Sequence, residues 1–276
     1  MPGRRFLYHA HGSAIAGTIT KPFKADIDIN AATSLPIIGG FASAKSGAYQ
    51  LNDVISVGSA HTYVSGIQTD DKAHNVVSTC IVEDLNILHM ITADAVIGKL
   101  SSKHVDGKPP EFSPLGSQFV NLKIGGQPVD VDLDHDLFLR NTTHAALLKH
   151  YESLGKGAKG GKAKLRYQWG VDHANVPAGL ADGMLMDPST GWHKSNETLH
   201  TSMVKQVRAS GSGNSSGELP YAYAIHIPHV GNVYLGEIFV SPDLKRITML
   251  RVELGSPFTG TAAVSSPVGN SGWFPP

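Results

Sequence analysis

Four carboxylates recur at every second position in Asp130-Val131-Asp132-Leu133-Asp134-His135-Asp136. In an extended strand, Asp130, Asp132, Asp134 and Asp136 share one face, with neighbours ~7 Å apart. Like charges that close together favour a cation or basic partner between them, and oxygen-rich clusters suit Ca²⁺. The segment has neither the loop glycine nor the distal glutamate of an EF-hand, so a solvated face that protects a sheet edge is the competing reading. Two histidine pairs supply nitrogen ligands: His9 and His11 fall on one face of a strand, and His226 and His229 bracket Pro228. A zinc site takes three or four ligands, and the spacing fixes only two in each pair; scattered histidines are usually polar surface or hydrogen-bonded core.

A second group of residues suits acid–base chemistry or ligand binding. Asp172, His173, Asp182 and His193 are the types a hydrolase or lyase uses to move protons, and Trp169 and Trp192 offer flat apolar faces to a ligand or glycan. Gly213-Asn214-Ser215-Ser216-Gly217 matches the spacing of a nucleophile elbow, which requires a strand before it and a helix after it. Here a Ser/Gly linker surrounds it, so the match is formal. Lys156, Lys159, Lys162 and Lys164 sit among glycines without the phosphate-loop pattern. They read as a solvated basic loop, or as a contact for a surface polyanion. Cys80, the single cysteine, lies in an apolar alternation and reads as a buried small residue.

These residues hang on short extended segments. Residues 14–20, 25–30, 51–59, 61–68, 75–88, 91–101, 118–124 and 129–139 are rich in Val, Ile and Thr and are separated by Gly, Pro, Asn and Ser. Asp26, Ile27, Asp28 and Ile29 alternate, and Gly125-Gly126 marks a hairpin. Residues 142–154 predict a helix, with Leu147, Leu148, Tyr151 and Leu154 on one stripe and Asn141 or Thr142 as cap. Residues 196–208 fit a helix or a strand equally. Extended segments resume at 221–227, 233–240 and 247–254. The expected fold is mainly β: an antiparallel sandwich, barrel or solenoid-like scaffold with one helix-containing insertion. Its expected parts are a scaffold at 1–136, an insertion at 137–219, more scaffold at 220–254, and a Gly/Ser/Pro-rich tail at 255–276.

Composition removes several function classes. Lys+Arg and Asp+Glu are both 23, so the formal charge is 23 − 23 = 0, and 41% of residues are apolar. A disordered chain needs high net charge and low hydrophobicity, and a nucleic-acid binder needs a basic field. Neither holds. No apolar run reaches the length of a membrane-spanning helix. No signal peptide is recognisable, because His9, His11 and Gly12 interrupt the residues after Arg4-Arg5-Phe6-Leu7.

Three ordered blocks carry a family resemblance. Residues 82–96 contain Asn86-Ile87-Leu88-His89-Met90-Ile91-Thr92-Ala93-Asp94-Ala95-Val96. Residues 116–128 contain Gly116-Ser117-Gln118-Phe119-Val120-Asn121-Leu122. Residues 227–237 contain Ile227-Pro228-His229-Val230-Gly231-Asn232-Val233-Tyr234-Leu235-Gly236-Glu237. Together with Leu35-Pro36 and Gly39-Gly40, this pattern resembles the choice-of-anchor family of bacterial secreted and surface proteins. His89, His229 and Gly236 stand where that family usually has small residues or Asn, and about 80 residues separate the second and third blocks. The resemblance implies an extracellular or cell-surface all-β protein and carries no catalytic residues. The leading expectation is therefore a non-catalytic protein with a structural, adhesive or self-assembling role, pairing with copies of itself through strand edges. An enzyme built from the insertion and a glycan- or ligand-binding module are the alternatives.

Overall fold

The computed structural model describes residues 5–156, 193–195, 198–209, 218–219, 224–227 and 230–274. Among them the chain forms β1 (Arg5–Leu7), β2 (Ala10–Lys21), β3 (Ala25–Asn30), β4 (Thr33–Ser34), β5 (Gly40–Ser46), β6 (Tyr49–Leu51), β7 (Ile55–Val57), β8 (Ser59–Gln68), β9 (His74–Ile87) and β10 (Ile91–His104). Next come β11 (Glu111–Ser113), β12 (Gln118–Val120), β13 (Lys123–Ile124), β14 (Gln127–Leu133), α1 (His135–Arg140) and α2 (His144–Lys156). The remainder is β15 (His193–Ser195), β16 (Thr198–Ser202), β17 (Val204–Ala209), β18 (Glu218–Leu219), β19 (Ala224–Ile227), β20 (Gly231–Val240), β21 (Lys245–Leu254), β22 (Thr259–Gly269) and β23 (Gly272–Phe274).

The architecture is mainly β and antiparallel, with two sheets packed face to face and no closed barrel. The long hairpin β9–β10 anchors the first sheet. β8 and then β5 extend it from β9, while β11, β12 and β13 pair in series along the other edge of β10. The second sheet runs β15-β16-β20-β21-β22-β2-β3. One continuous core lies between the sheets, with Ile15, Val82, Val96, Leu235, Leu250 and Val264 fully buried. Burying each such side chain stabilises the fold by roughly 1.5–3 kcal/mol. Small residues set the sheet spacing: a Cβ on Gly12 would lie 2.5 Å from Cys80 Sγ, and one on Gly98 2.6 Å from Ser265 Oγ. Gly125 and Gly126 take positive φ between β13 and β14, the backbone of the expected hairpin.

Several expectations change. The acidic strand ends at Leu133 rather than running on through Asp136. Asp134 turns inward, and its Oδ1 accepts from Leu137 N at 3.1 Å, which caps α1. Asp136 then belongs to the first turn of a helix, so the four carboxylates do not share a strand face. The second helix starts later than predicted and is capped by neither Asn141 nor Thr142: Thr143 Oγ1 accepts from Ala146 N. Residues 198–209, expected within the insertion, are strands of the two sheets. β16 pairs with β20 in the second sheet, and after Met203 the chain crosses so that β17 pairs with β14 in the first. Most of the segment 259–274, expected in the tail, is strand as well. β22 lies between β21 and β2, and β23 pairs with β1. Its small residues, which look like linker composition, are what a close sheet-to-sheet approach requires. Ile27 and Ile29 alternate with Asp as expected, but a register shift in the β2–β3 ladder beyond Ile27 leaves Ile27 buried and Ile29 exposed.

Candidate functional site

The outer face of the second sheet carries the densest polar network among the described residues. A crease crosses four neighbouring strands there. The ladders skip Gly236 opposite Met249, residues 247–249 opposite 265–267, and Ala14 opposite Ser265. Gly236 and Ser265 both have positive φ, and Ser265 Oγ turns inward to donate to Cys80 O at 2.7 Å. Gly236 suits this position because glycine takes a left-handed backbone without the steric cost a Cβ brings. The crease changes which side chains face outward. Asn232 and Tyr234 project before it on β20, and Glu237 and Phe239 project after it.

Glu237 is the centre of the network, with a side chain only 7% exposed. Arg251 grips it with both prongs of its guanidinium: Nε donates to Oε2 at 2.6 Å and Nη2 to Oε1 at 2.8 Å. Arg251 Nη1 also donates to Glu253. The guanidinium carbon lies 3.7 Å from the centre of the Tyr234 ring, and the Tyr234 hydroxyl donates to Glu253 Oε2 at 2.8 Å. Burial opposes the charge on Arg251, but the two carboxylates outweigh it and hold the guanidinium above its ordinary pKa. Burial, then Glu253, raises the Tyr234 hydroxyl. His200 Nε2 approaches Glu237 Oε1 at 3.3 Å from the neighbouring strand. The network opens onto a trough of about 490 Å³ that continues over β21 and β22 to His11 and Ser13 on β2.

A second cluster closes one end of the sandwich. His74 and His104 are opposite each other on β9 and β10. The Phe6 ring stacks on His74 at 4.0 Å, and Trp273 meets it edge-on at 5.1 Å. Tyr8 Oη lies 2.7 Å from His74 Nδ1, and Ser102 Oγ lies 3.0 Å from His104 Nε2. Lys245 is buried beside them and donates to Pro242 O at 2.6 Å. Burial, then the neighbouring Lys245 and His74 charges, push His104 down to about 4. Burial likewise lowers His74, and lowers Lys245 to about 8 against the pull of Asp243.

The third feature is apolar. On the outer face of the first sheet, Phe41 of β5 packs near Tyr63 of β8 with ring centres 6.4 Å apart. Ile67 on β8 and Ile38 in the preceding turn are also exposed, Ile38 at 87%. β5 pairs with β8 on one side and, among the described residues, with no strand on the other.

The residues singled out from sequence are dispersed. Asp130 and Asp132 lie on the exposed face of β14, where Asp132 meets Lys205 at 3.8 Å, while Asp134 and Asp136 belong to the α1 terminus. His9 and His11 have ring centres 5.8 Å apart; His9 bonds Asn270, and His11 faces the trough. Burial and the neighbouring His9 lower His11. No group of three or more His, Cys, Asp or Glu among the described residues is placed to hold a metal ion. His226 lies on β19 opposite Asn232, and His193 on β15 opposite His200. Asp172, His173, Asp182, Trp169, Trp192 and His229 lie outside the described residues, as do the formal elbow match at 213–217 and the lysines Lys159, Lys162 and Lys164. Cys80 is buried, and burial pushes its thiol up to about 12.

Sequence reasoning missed Glu237, Arg251, Glu253, Tyr234, His74, His104 and Lys245. The alternation of Arg251 and Glu253 on one strand was readable, but nothing in the sequence joins it to Glu237, 14 positions earlier. A search of curated proteins and a search of solved structures return no match. The family described as "Domain of unknown function (DUF8256)" matches residues 6–241. That span covers most of the chain, including the β9–β10 hairpin and all of β20, and the chain belongs to this family.

Proposed function

We propose that this chain is a non-catalytic β-sandwich protein of the cell surface or extracellular space, and that it self-associates through the β5–β8 edge. The observation that supports this reading most is the coincidence of an edge strand with exposed large apolar side chains. β5 offers a row of backbone N–H and C=O groups that a second copy can extend by strand pairing. Phe41, Tyr63, Ile38 and Ile67 stand beside that edge, and burying them against another copy supplies the apolar term that strand pairing alone lacks. Lys45 is the single charge on the strand, so little opposes the approach of a second edge. Extracellular placement rests on the three sequence blocks that resemble the choice-of-anchor family.

Sedimentation velocity over a hundredfold range of protein concentration tests the proposal. The wild-type chain should shift to dimers or larger species as concentration rises. Phe41→Lys and Ser43→Lys, which place charges on exposed positions of the edge strand, should hold it monomeric. A wild-type chain that stays monomeric throughout, or association that both variants leave unchanged, refutes the proposal.

A further inference from the structure

The trough on the outer face of the second sheet has the composition of a binding site, and some of its polar groups have no partner among the described residues. Ser13 on β2, Thr248 on β21 and Ser266 on β22 line it, and their hydroxyls make no hydrogen bond within the described residues. His11 adds an imidazole at one end, held neutral near pH 7 by its surroundings. Arg246 adds a cation that has no ion-pair partner among the described residues, and Phe239 fixes its position, with the guanidinium carbon 5.5 Å from the ring centre. Arg251 is shared between Glu237 and Glu253, so that wall is stiff but carries one carboxylate more than guanidinium, and Arg246 is the cation left to face an anion.

We infer that this trough binds an anionic oligosaccharide. A row of neutral hydroxyl and imidazole groups, each able to donate and accept, matches the donor–acceptor pattern of sugar hydroxyls. The Arg246 guanidinium, with no ion-pair partner among the described residues, matches one carboxylate or sulfate on the sugar. A free phosphate or a nucleotide would call for several cations or a cradle of backbone N–H groups, whereas the hydroxyls here outnumber the free cations. The volume of about 490 Å³ is in the range of pockets that enclose small ligands. The inference goes beyond self-association: the trough lies on the opposite sheet from β5, so failure of one leaves the other standing.

Calorimetric titration of the full-length chain separates the sources of the anion. The probes are trigalacturonic acid, a sulfated galactose trimer, the neutral galactose trimer and triglutamate. One or both anionic sugars should bind at least about tenfold more tightly than the neutral trimer and than triglutamate. The preferred one identifies the anion as carboxylate or sulfate. Arg246→Met should erase the preference for the anionic sugar, and Thr248→Val should weaken both sugars by about threefold to tenfold. Thermal melts confirm that each variant is folded, and Phe41→Lys should bind as the wild type does. No binding of any sugar, equal binding of the neutral trimer or of triglutamate, or a folded Arg246→Met chain that keeps its preference overturns the inference.

Discussion

Acid should unfasten the aromatic clasp at the end of the sandwich, and His104 sets the size of the effect. His104 is 5% exposed, with Phe6 beside it, His74 opposite and Lys245 nearby. Its pKa is about 4 in the folded chain against an ordinary 6.5. The folded state therefore holds fewer protons than the unfolded state between those values, and stability must fall as pH drops through that window. The full difference corresponds to about 3 kcal/mol, of which about 2 kcal/mol is lost between about pH 7 and about pH 4.5. His74, also lowered, adds a contribution of the same sign. His104→Gln keeps a hydrogen-bonding group for Ser102 and removes the titrating site. Urea unfolding followed by tryptophan fluorescence at the two pH values measures the difference directly. The wild type should lose about 2 kcal/mol more than the variant over that interval. Equal losses in both proteins would refute the claim that the buried imidazole carries the acid sensitivity. The proton then goes onto groups shared by both chains.

Other perturbations test different parts of the structure. Lys245→Met should raise stability near pH 7 by about 1–2 kcal/mol, because a buried ammonium with a lowered pKa is a net cost. That gain should shrink as pH rises past about 8, where the wild-type lysine begins to lose its proton, and chemical denaturation at both pH values reads it. Glu237→Gln should destabilise by about 2–3 kcal/mol, since it leaves a partly buried guanidinium with only the more exposed carboxylate of Glu253; a change in melting temperature reports it, and Glu253→Gln should cost less. Gly12→Val should lower the denaturation midpoint by the equivalent of about 1–3 kcal/mol or more, because the new Cβ meets Cys80 Sγ and Thr62 across the sheet interface. The Cys80 thiol should resist a disulfide-exchange reagent in native buffer and react once urea unfolds the chain, as a buried group with its pKa pushed up to about 12 requires.

Local patterns determined much of the architecture. Alternation identified the long strands, since a half-buried strand imposes period two on its own sequence. The Gly125-Gly126 hairpin was equally legible, because few other residues tolerate two successive positive φ values. An apolar stripe placed the second helix, and Leu147 is buried as that stripe implies. Tertiary structure decided what composition disguises. The small residues of 259–269 resemble a linker until two sheets are brought close enough to need them, and only then are they a central strand. Asp134 reads as one of four strand carboxylates until the chain turns and an orphan N–H at the start of α1 gives it a partner. The candidate sites show the same division most clearly. Glu237 meets Arg251, and His104 meets His74 and Lys245, only after non-adjacent segments are stacked in a sheet or across two. Sequence periodicity reports which face a residue takes on its own strand. Which charges then become neighbours, and how far burial moves their proton affinities, depends on strand order and sheet packing, and these are properties of the folded chain.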